Sequence, residues 1–132
     1  MKKIVKDWIL LAENDLYSAE VLFKDEHPRT NVVAFLCQQT IEKYLKAFLI
    51  DNDIPIEKTH DLSKLNDKVK QIKDLNIDEG ILDSINQVYA ESRYPGMFGF
   101  LPTGMPTDKQ ASDFLEFAKE VKAIIIKELK KQ

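Results

Sequence analysis

Residues 32–51 read VVAFLCQQTIEKYLKAFLID, and this stretch decides the fold. At about 100° per residue, its apolar side chains cover more than half of a helix circumference, whereas the apolar stripe of an ordinary surface helix spans roughly 100°. The narrow remainder is polar and holds Gln39, Glu42, Lys43 and Lys46. The pattern predicts a helix that is central in the core, or shared between the core and a subunit interface, and we expect a homodimer.

Amphipathic helices are predicted on both sides of this segment. Apolar residues recur at helical spacing over residues 5–23, and His27-Pro28-Arg29 ends that helix. Residues 52–61 form a loop, at the end of which Asp61 is placed to cap a short helix over residues 62–73.

Capping motifs and prolines set the bounds of the last two helices. Asn76 and Glu79 have capping-box spacing, and the helix that follows ends near Tyr94-Pro95 because proline disfavours α geometry in the residue before it. Residues 95–106 form an irregular stretch that is apolar enough to pack on something, and Thr107 then begins a second capping box. We predict one all-α domain over residues 1–132, an up-and-down bundle of four long or medium helices plus a short one.

Composition excludes several functional classes. The 132 residues are 44% hydrophobic and 31% charged, which is typical of a globular protein rather than a disordered or membrane-spanning one. The net charge is −3 with no basic run, so the electrostatic footprint of a general nucleic-acid binder is missing. One cysteine and two histidines cannot build a structural zinc site. We expect a cytoplasmic protein with no membrane segment, metal or cofactor.

Four stretches follow one another along the chain: WILLAENDLYSAE at 8–20, FLCQQTIEKYLKAFL at 35–49, KTHDL at 58–62 and ESRYPG at 91–96. In this order they resemble the HEPN domain family, the higher-eukaryote and prokaryote nucleotide-binding helical bundle. The resemblance implies a symmetric dimer built on the second helix and its neighbours. Many members are encoded beside a minimal nucleotidyltransferase and form toxin–antitoxin pairs with it. Others are metal-independent endoribonucleases.

The ribonucleases of this family use an arginine followed after four to six residues by a histidine. Neither arginine of this chain, Arg29 or Arg93, has a histidine at that spacing. We therefore expect a noncatalytic HEPN module that binds a nucleotide or RNA and pairs with a nucleotidyltransferase. The alternative is a ribonuclease with a variant site, in which His60 supplies the imidazole and Arg93 the guanidinium on the phosphate.

The candidate nucleotide ligands are polar or aromatic residues from three segments. Arg93 can engage two phosphate oxygens with its planar fork, and Tyr94 can stack on a base. The full candidate set is Arg93, Tyr94, Lys43, Lys46, Gln39 and His60.

Structural roles compete with each of these assignments. The two lysines could be a solvated surface with a Glu42–Lys46 pair, and His60 could merely help Asp61 to start a helix. Asp15 falls within the apolar stripe of the first helix and needs a partner, which could be Arg93. A third possibility for the whole protein is a helical interaction module that docks a partner through residues 95–106.

Overall fold

A computed structural model describes residues 1–93 and 105–130, and it includes the side chains of residues 1–89 and 105–130. The described residues form five helices and no strand. They are α1 (Lys3–Phe23), α2 (Thr30–Asp51), α3 (Leu62–Ile72), α4 (Glu79–Arg93) and α5 (Asp108–Lys130). The predicted all-α bundle, with α3 as its short helix, is confirmed.

Helix α2 is the centre of the bundle, since it packs against all four of the other helices. Its largest apolar side chains, such as Tyr44, Leu45 and Phe48, are almost fully buried within the protomer. The wide apolar arc of α2 is therefore accounted for by packing inside one chain. The homodimer stays a prediction.

Two of the predicted caps are confirmed. Thr107 and Gln110 form a reciprocal capping box, in which the Thr107 backbone N–H donates to Gln110 Oε1 at 2.8 Å and the Gln110 N–H donates to Thr107 Oγ1 at 3.0 Å. Asp61 caps α3 by accepting hydrogen bonds from the backbone N–H groups of Ser63 and Lys64.

The predicted cap at Asn76 is wrong. Helix α4 begins three residues later, at Glu79, and Asp78 Oδ1 accepts the Ile81 N–H at 3.1 Å. Asn76 instead has a φ of 58°, and its N–H donates to Asp74 Oδ1. Asparagine tolerates the left-handed region in a turn, so the residue that looked like a cap belongs to the turn before it.

The segment proposed as a docking loop, residues 95–106, lies mostly outside the described residues. Only its last two residues are described, and of these Met105 is exposed and Pro106 is buried. None of the five described helices combines the length and the apolar content that crossing a membrane requires.

Candidate functional site

Glu42 and Lys46, two of the four residues in the polar strip of α2, are buried rather than solvated. The side chain of Glu42 is only 4% exposed, and that of Lys46, one turn further along, is 8% exposed. Lys46 Nζ lies 3.0 Å from Glu42 Oε2 and also sits over the Trp8 ring, 5.6 Å from its centroid. Because a buried charge needs a partner, the carboxylate and the aromatic face together hold the ammonium group.

Glu42 has two further hydrogen-bond partners besides Lys46. Gln38 Nε2 donates to Glu42 Oε1 at 3.3 Å, and the same nitrogen donates to the backbone carbonyl of His60 at 2.7 Å. His60 Nδ1 lies 2.8 Å from Glu42 Oε1. Residues from α2 and from the loop before α3 therefore meet at one carboxylate.

The imidazole ring of His60 is held in place and is also exposed. Its side chain is 62% exposed, although its Nδ1 contacts a buried carboxylate. Since a carboxylate only accepts hydrogen bonds, Nδ1 carries the proton, and Nε2 of the neutral ring is an acceptor. The arrangement can present a basic nitrogen in a defined orientation to a molecule outside the bundle.

An open cleft of about 270 Å³ lies beside this ring, lined by His60, Asp61, Asn86 and Tyr89. Asn86 forms hydrogen bonds with two residues at the start of α3. Its Oδ1 accepts the Leu62 N–H at 3.0 Å, and its Nδ2 donates to Asp61 Oδ1 at 3.0 Å. These bonds tie α4 to the start of α3, so the cleft has a rigid polar edge.

The aromatic wall of the cleft is Tyr89. Its ring stacks on Phe35 of α2, with centroids 5.6 Å apart and planes inclined by 15°. The His60 ring is 6.2 Å from the Tyr89 ring. The cleft thus brings an imidazole, an amide and a supported aromatic ring together, a combination suited to a ligand with both polar and flat aromatic parts.

The predicted lysine ligands do not line this cleft. Lys43 forms an ion pair with Asp15, which links α2 to α1, and Lys46 is engaged with Glu42 and Trp8. Gln39 donates to Gln38 Oε1 at 2.7 Å and so supports the network from the next position on α2. Of the predicted ligands whose side chains are described, only His60 lines the cleft.

Asp15 has the ion-pair role expected for a carboxylate in an apolar stripe, and its partner in the structure is Lys43.

The predictions for the side chains of Arg93 and Tyr94 fall outside the described residues. Arg93 is the last residue of α4. It follows Asn86 by seven positions and Tyr89 by four. At 3.6 residues per turn, these three positions share one face of the helix.

Sequence reasoning missed most of the cleft. Asn86, Tyr89 and Phe35 carry no motif of their own, and Glu42 was considered only as a partner for a lysine. One feature of the sequence could have indicated the Glu42 network. Gln38, Glu42 and Lys46 follow one another at intervals of four, so they form a polar line along α2. In the part of the chain that the structure describes, no three His, Cys, Asp or Glu side chains converge to hold a metal ion.

Comparison with known proteins agrees with this architecture. The model of the HEPN domain family matches residues 5–129, and the chain therefore belongs to the HEPN family. The crystal structure of an archaeal HEPN homologue is similar to it, with a TM-score of 0.68 and 26% sequence identity over 97% of this chain and 98% of that one. Comparison with curated proteins gives no match.

Proposed function

We propose that this HEPN domain binds a nucleotide or an RNA end in the His60 cleft. One observation carries the proposal: His60 is largely exposed, yet a buried carboxylate holds its Nδ1 at 2.8 Å. A histidine that only started a helix would not need a fixed ring, because Asp61 already supplies the cap of α3. A fixed and exposed imidazole suits recognition of a ligand.

The cleft offers a separate group for each part of such a ligand. Tyr89, backed by Phe35, provides a flat face for a base, and stacking of this kind is worth about 1–3 kcal/mol per base. His60 Nε2 accepts a hydrogen bond from a ribose hydroxyl. We expect Arg93, on the same face of α4 as Tyr89, to supply the bidentate contact to phosphate.

Calorimetric titration tests this assignment. We expect saturable binding of at least one of ATP, GTP, AMP or a short single-stranded RNA, and loss of that binding in folded His60→Ala and Arg93→Ala variants. His27→Ala is the matched control, because it removes the only other histidine, which lies on the turn before α2 and not in the cleft lining. Binding that survives both cleft substitutions would move the site elsewhere, and no binding at all would refute the proposal.

We further propose that the protein is noncatalytic and works in the cytoplasm as the partner of a minimal nucleotidyltransferase, in a toxin–antitoxin type of module. Membership of the HEPN family supports this role, and so does the lack of a histidine separated by four to six intervening residues from either preceding arginine. Purification from the native cell should recover the nucleotidyltransferase as a stoichiometric companion. A protein that emerges with neither partner nor ligand would contradict the pairing.

RNA cleavage is the second candidate, and the Glu42–His60 contact favours it. In that reaction His60 Nε2 takes the proton of a 2′-hydroxyl, whose oxygen attacks the adjacent phosphorus. The bond to the 5′-oxygen breaks, and that oxygen takes a proton from water. Glu42 orients the imidazole and stabilises its charged form, and Arg93 stabilises the phosphorane charge. Cleavage should be abolished by His60→Ala and by Arg93→Ala but not by His27→Ala. Cleavage that persists in both cleft variants would remove these residues from the mechanism.

A further inference from the structure

Asp61 brings to the His60 cleft a carboxylate oxygen that the described fold does not use. Its Oδ1 accepts three hydrogen bonds, from the backbone N–H groups of Ser63 and Lys64 and from Asn86 Nδ2. Its Oδ2 accepts none from the described residues, and the buried side-chain oxygens that lack a partner there all belong to α2, so Oδ2 is open to solvent. The protein thus holds this carboxylate by one oxygen and leaves the other free to accept from a ligand.

The surroundings of this oxygen are fixed before a ligand binds. The Asp61 N–H donates to Thr59 Oγ1 at 3.1 Å, and the carbonyl of His60 accepts from Gln38 Nε2 at 2.7 Å. The contact with Glu42 orients the His60 ring and leaves its Nε2 as a second acceptor. Two acceptors, from consecutive residues that both line the cleft, are therefore preorganised, which lowers the entropic cost of binding.

The remaining polar group of the described lining is already engaged. Asn86 Oδ1 accepts the Leu62 N–H, and its Nδ2 donates to Asp61 Oδ1 and lies 3.4 Å from Ser63 Oγ. None of the four described lining residues is a lysine or an arginine. This end of the cleft therefore favours a group that donates hydrogen bonds and disfavours a phosphate, which the carboxylate would repel.

We propose that Asp61 and His60 together bind the adjacent 2′- and 3′-hydroxyls of a ribose, so that the cleft selects a nucleotide or an RNA whose terminal ribose carries both. The assignment rests on the proposed nucleotide-binding function and specifies which part of the ligand these two residues recognise. A ribose diol presents two O–H donors side by side, and the bond to the carboxylate is charge-assisted. Dinucleotide-binding folds also use a carboxylate to hold a ribose hydroxyl.

This placement agrees with the rest of the cleft. The base has the Tyr89 ring beside it, whose centroid is 6.2 Å from that of His60. A 5′-phosphate is attached at the opposite edge of the ribose from the diol, so it points away from the Asp61 carboxylate. An internal ribose of RNA has its 3′-oxygen in a phosphodiester and offers only one donor, which is why the terminal ribose is preferred.

Calorimetry of the full chain with AMP and GMP, each compared with its 2′,3′-dideoxy analogue, gives the first test. We expect the natural nucleotide to bind at least about tenfold more tightly, because the analogue leaves both acceptors unpaired. Inosine monophosphate, which lacks the exocyclic amine of AMP, should bind as AMP does. Loss of binding there, with equal binding of AMP and its dideoxy analogue, would assign the acceptors to the amine and overturn the proposal.

Asp61→Asn tests the residue itself. Asparagine caps a helix as well as aspartate does and keeps one acceptor oxygen, but it replaces Oδ2 by an amide that donates. We expect the affinity for AMP to fall at least about tenfold, with little change for the dideoxy analogue and an unchanged helical circular dichroism spectrum. Asp78→Asn is the matched control, because Asp78 also caps a helix but does not line the cleft.

A short single-stranded RNA separates a terminal ribose from an internal one. The oligonucleotide with a free 3′ end should bind at least about tenfold more tightly than the same RNA with a 3′-phosphate, or with its terminal diol cleaved by periodate. Equal binding of all three would show that the strand interior is recognised, and it would overturn the proposal.

The possible failures can be told apart. Equal affinity for each nucleotide and its dideoxy analogue would refute recognition of the diol and leave the nucleotide-binding function intact. No binding of any nucleotide or RNA would refute that function and the assignment together. A preference for the diol that Asp61→Asn preserves would show that other residues bind the ribose.

Discussion

The thiol of Cys37 lies inside the bundle, with no exposed surface. Burial raises the pKa of this thiol from about 9 to about 12, and Lys119 lowers it only slightly. Because the thiolate is the reactive form, we expect the native protein to be inert toward a disulfide reagent at pH 8 and to react fully after unfolding in urea. Rapid reaction of the native state would show that α2 opens locally.

The same pKa shift makes stability depend on pH. The folded state keeps the Cys37 proton up to about pH 12, whereas the unfolded chain releases it near the ordinary thiol pKa of about 9. The stabilisation is complete below that pH and decreases as the pH rises through this window. Burial raises the pKa of Tyr44 as well, which adds to the loss of stability at alkaline pH. Urea unfolding at pH 8 and pH 10 measures the difference.

At the scale of the element, α3 has only 11 residues and depends on its cap. Asp61 Oδ1 accepts the Ser63 N–H at 2.9 Å, the Lys64 N–H at 3.3 Å and Asn86 Nδ2 at 3.0 Å. We expect Asp61→Ala to lower the free energy of unfolding by about 2 kcal/mol, since it removes the cap and the partner of Asn86.

Asp78→Ala is the comparison for this variant. Asp78 caps α4 by accepting the Ile81 N–H. Within the described residues, the Asp78 side chain accepts only this hydrogen bond. Its loss should therefore cost about 1 kcal/mol. Equal effects of the two substitutions, measured by urea unfolding, would show that the Asn86 bond contributes nothing to the stability of α3.

At the scale of the whole molecule, Glu42 joins three parts of the fold. It contacts Lys46, whose ammonium group lies over Trp8 of α1, and it contacts His60 in the loop before α3. We expect Glu42→Ala to destabilise the protein by about 3–5 kcal/mol, because it leaves the Lys46 charge buried without a counter-ion. Chemical denaturation followed by circular dichroism measures this loss.

Glu116→Ala is the matched control. Glu116 is on the exposed face of α5, where it pairs with Lys119, and its removal should change stability by less than about 0.5 kcal/mol. If Glu42→Ala costs no more than this control, the Glu42–Lys46 pair is not a determinant of the fold.

Local patterns were sufficient to predict the helices. The apolar spacing of residues 5–23 and the breadth of the apolar arc on α2 predict both helices and their packing, and the Thr107–Gln110 spacing marks the start of α5. Asn76 misled the prediction because asparagine favours both caps and left-handed turns, and the sequence spacing does not distinguish them.

The candidate site was predictable only at His60. The rest of the cleft lining includes Asn86 and Tyr89. These two residues are more than 25 positions after His60 in the chain and belong to α4. No local pattern relates such distant residues, so their meeting depends on how α3 and α4 pack on α2. For the same reason, Lys43 was predicted as a ligand but pairs with Asp15, which lies 28 residues earlier.

The sequence by itself determined the class of the fold, the order of the helices and the family, because helical periodicity, capping and motif order are local properties of the chain. Only the tertiary structure decided that Glu42 and Lys46 are buried, that Glu42 fixes the His60 ring, and that α1 leaves large apolar side chains exposed. These features depend on which helix faces which, and that is set by the packing of side chains that are far apart in sequence.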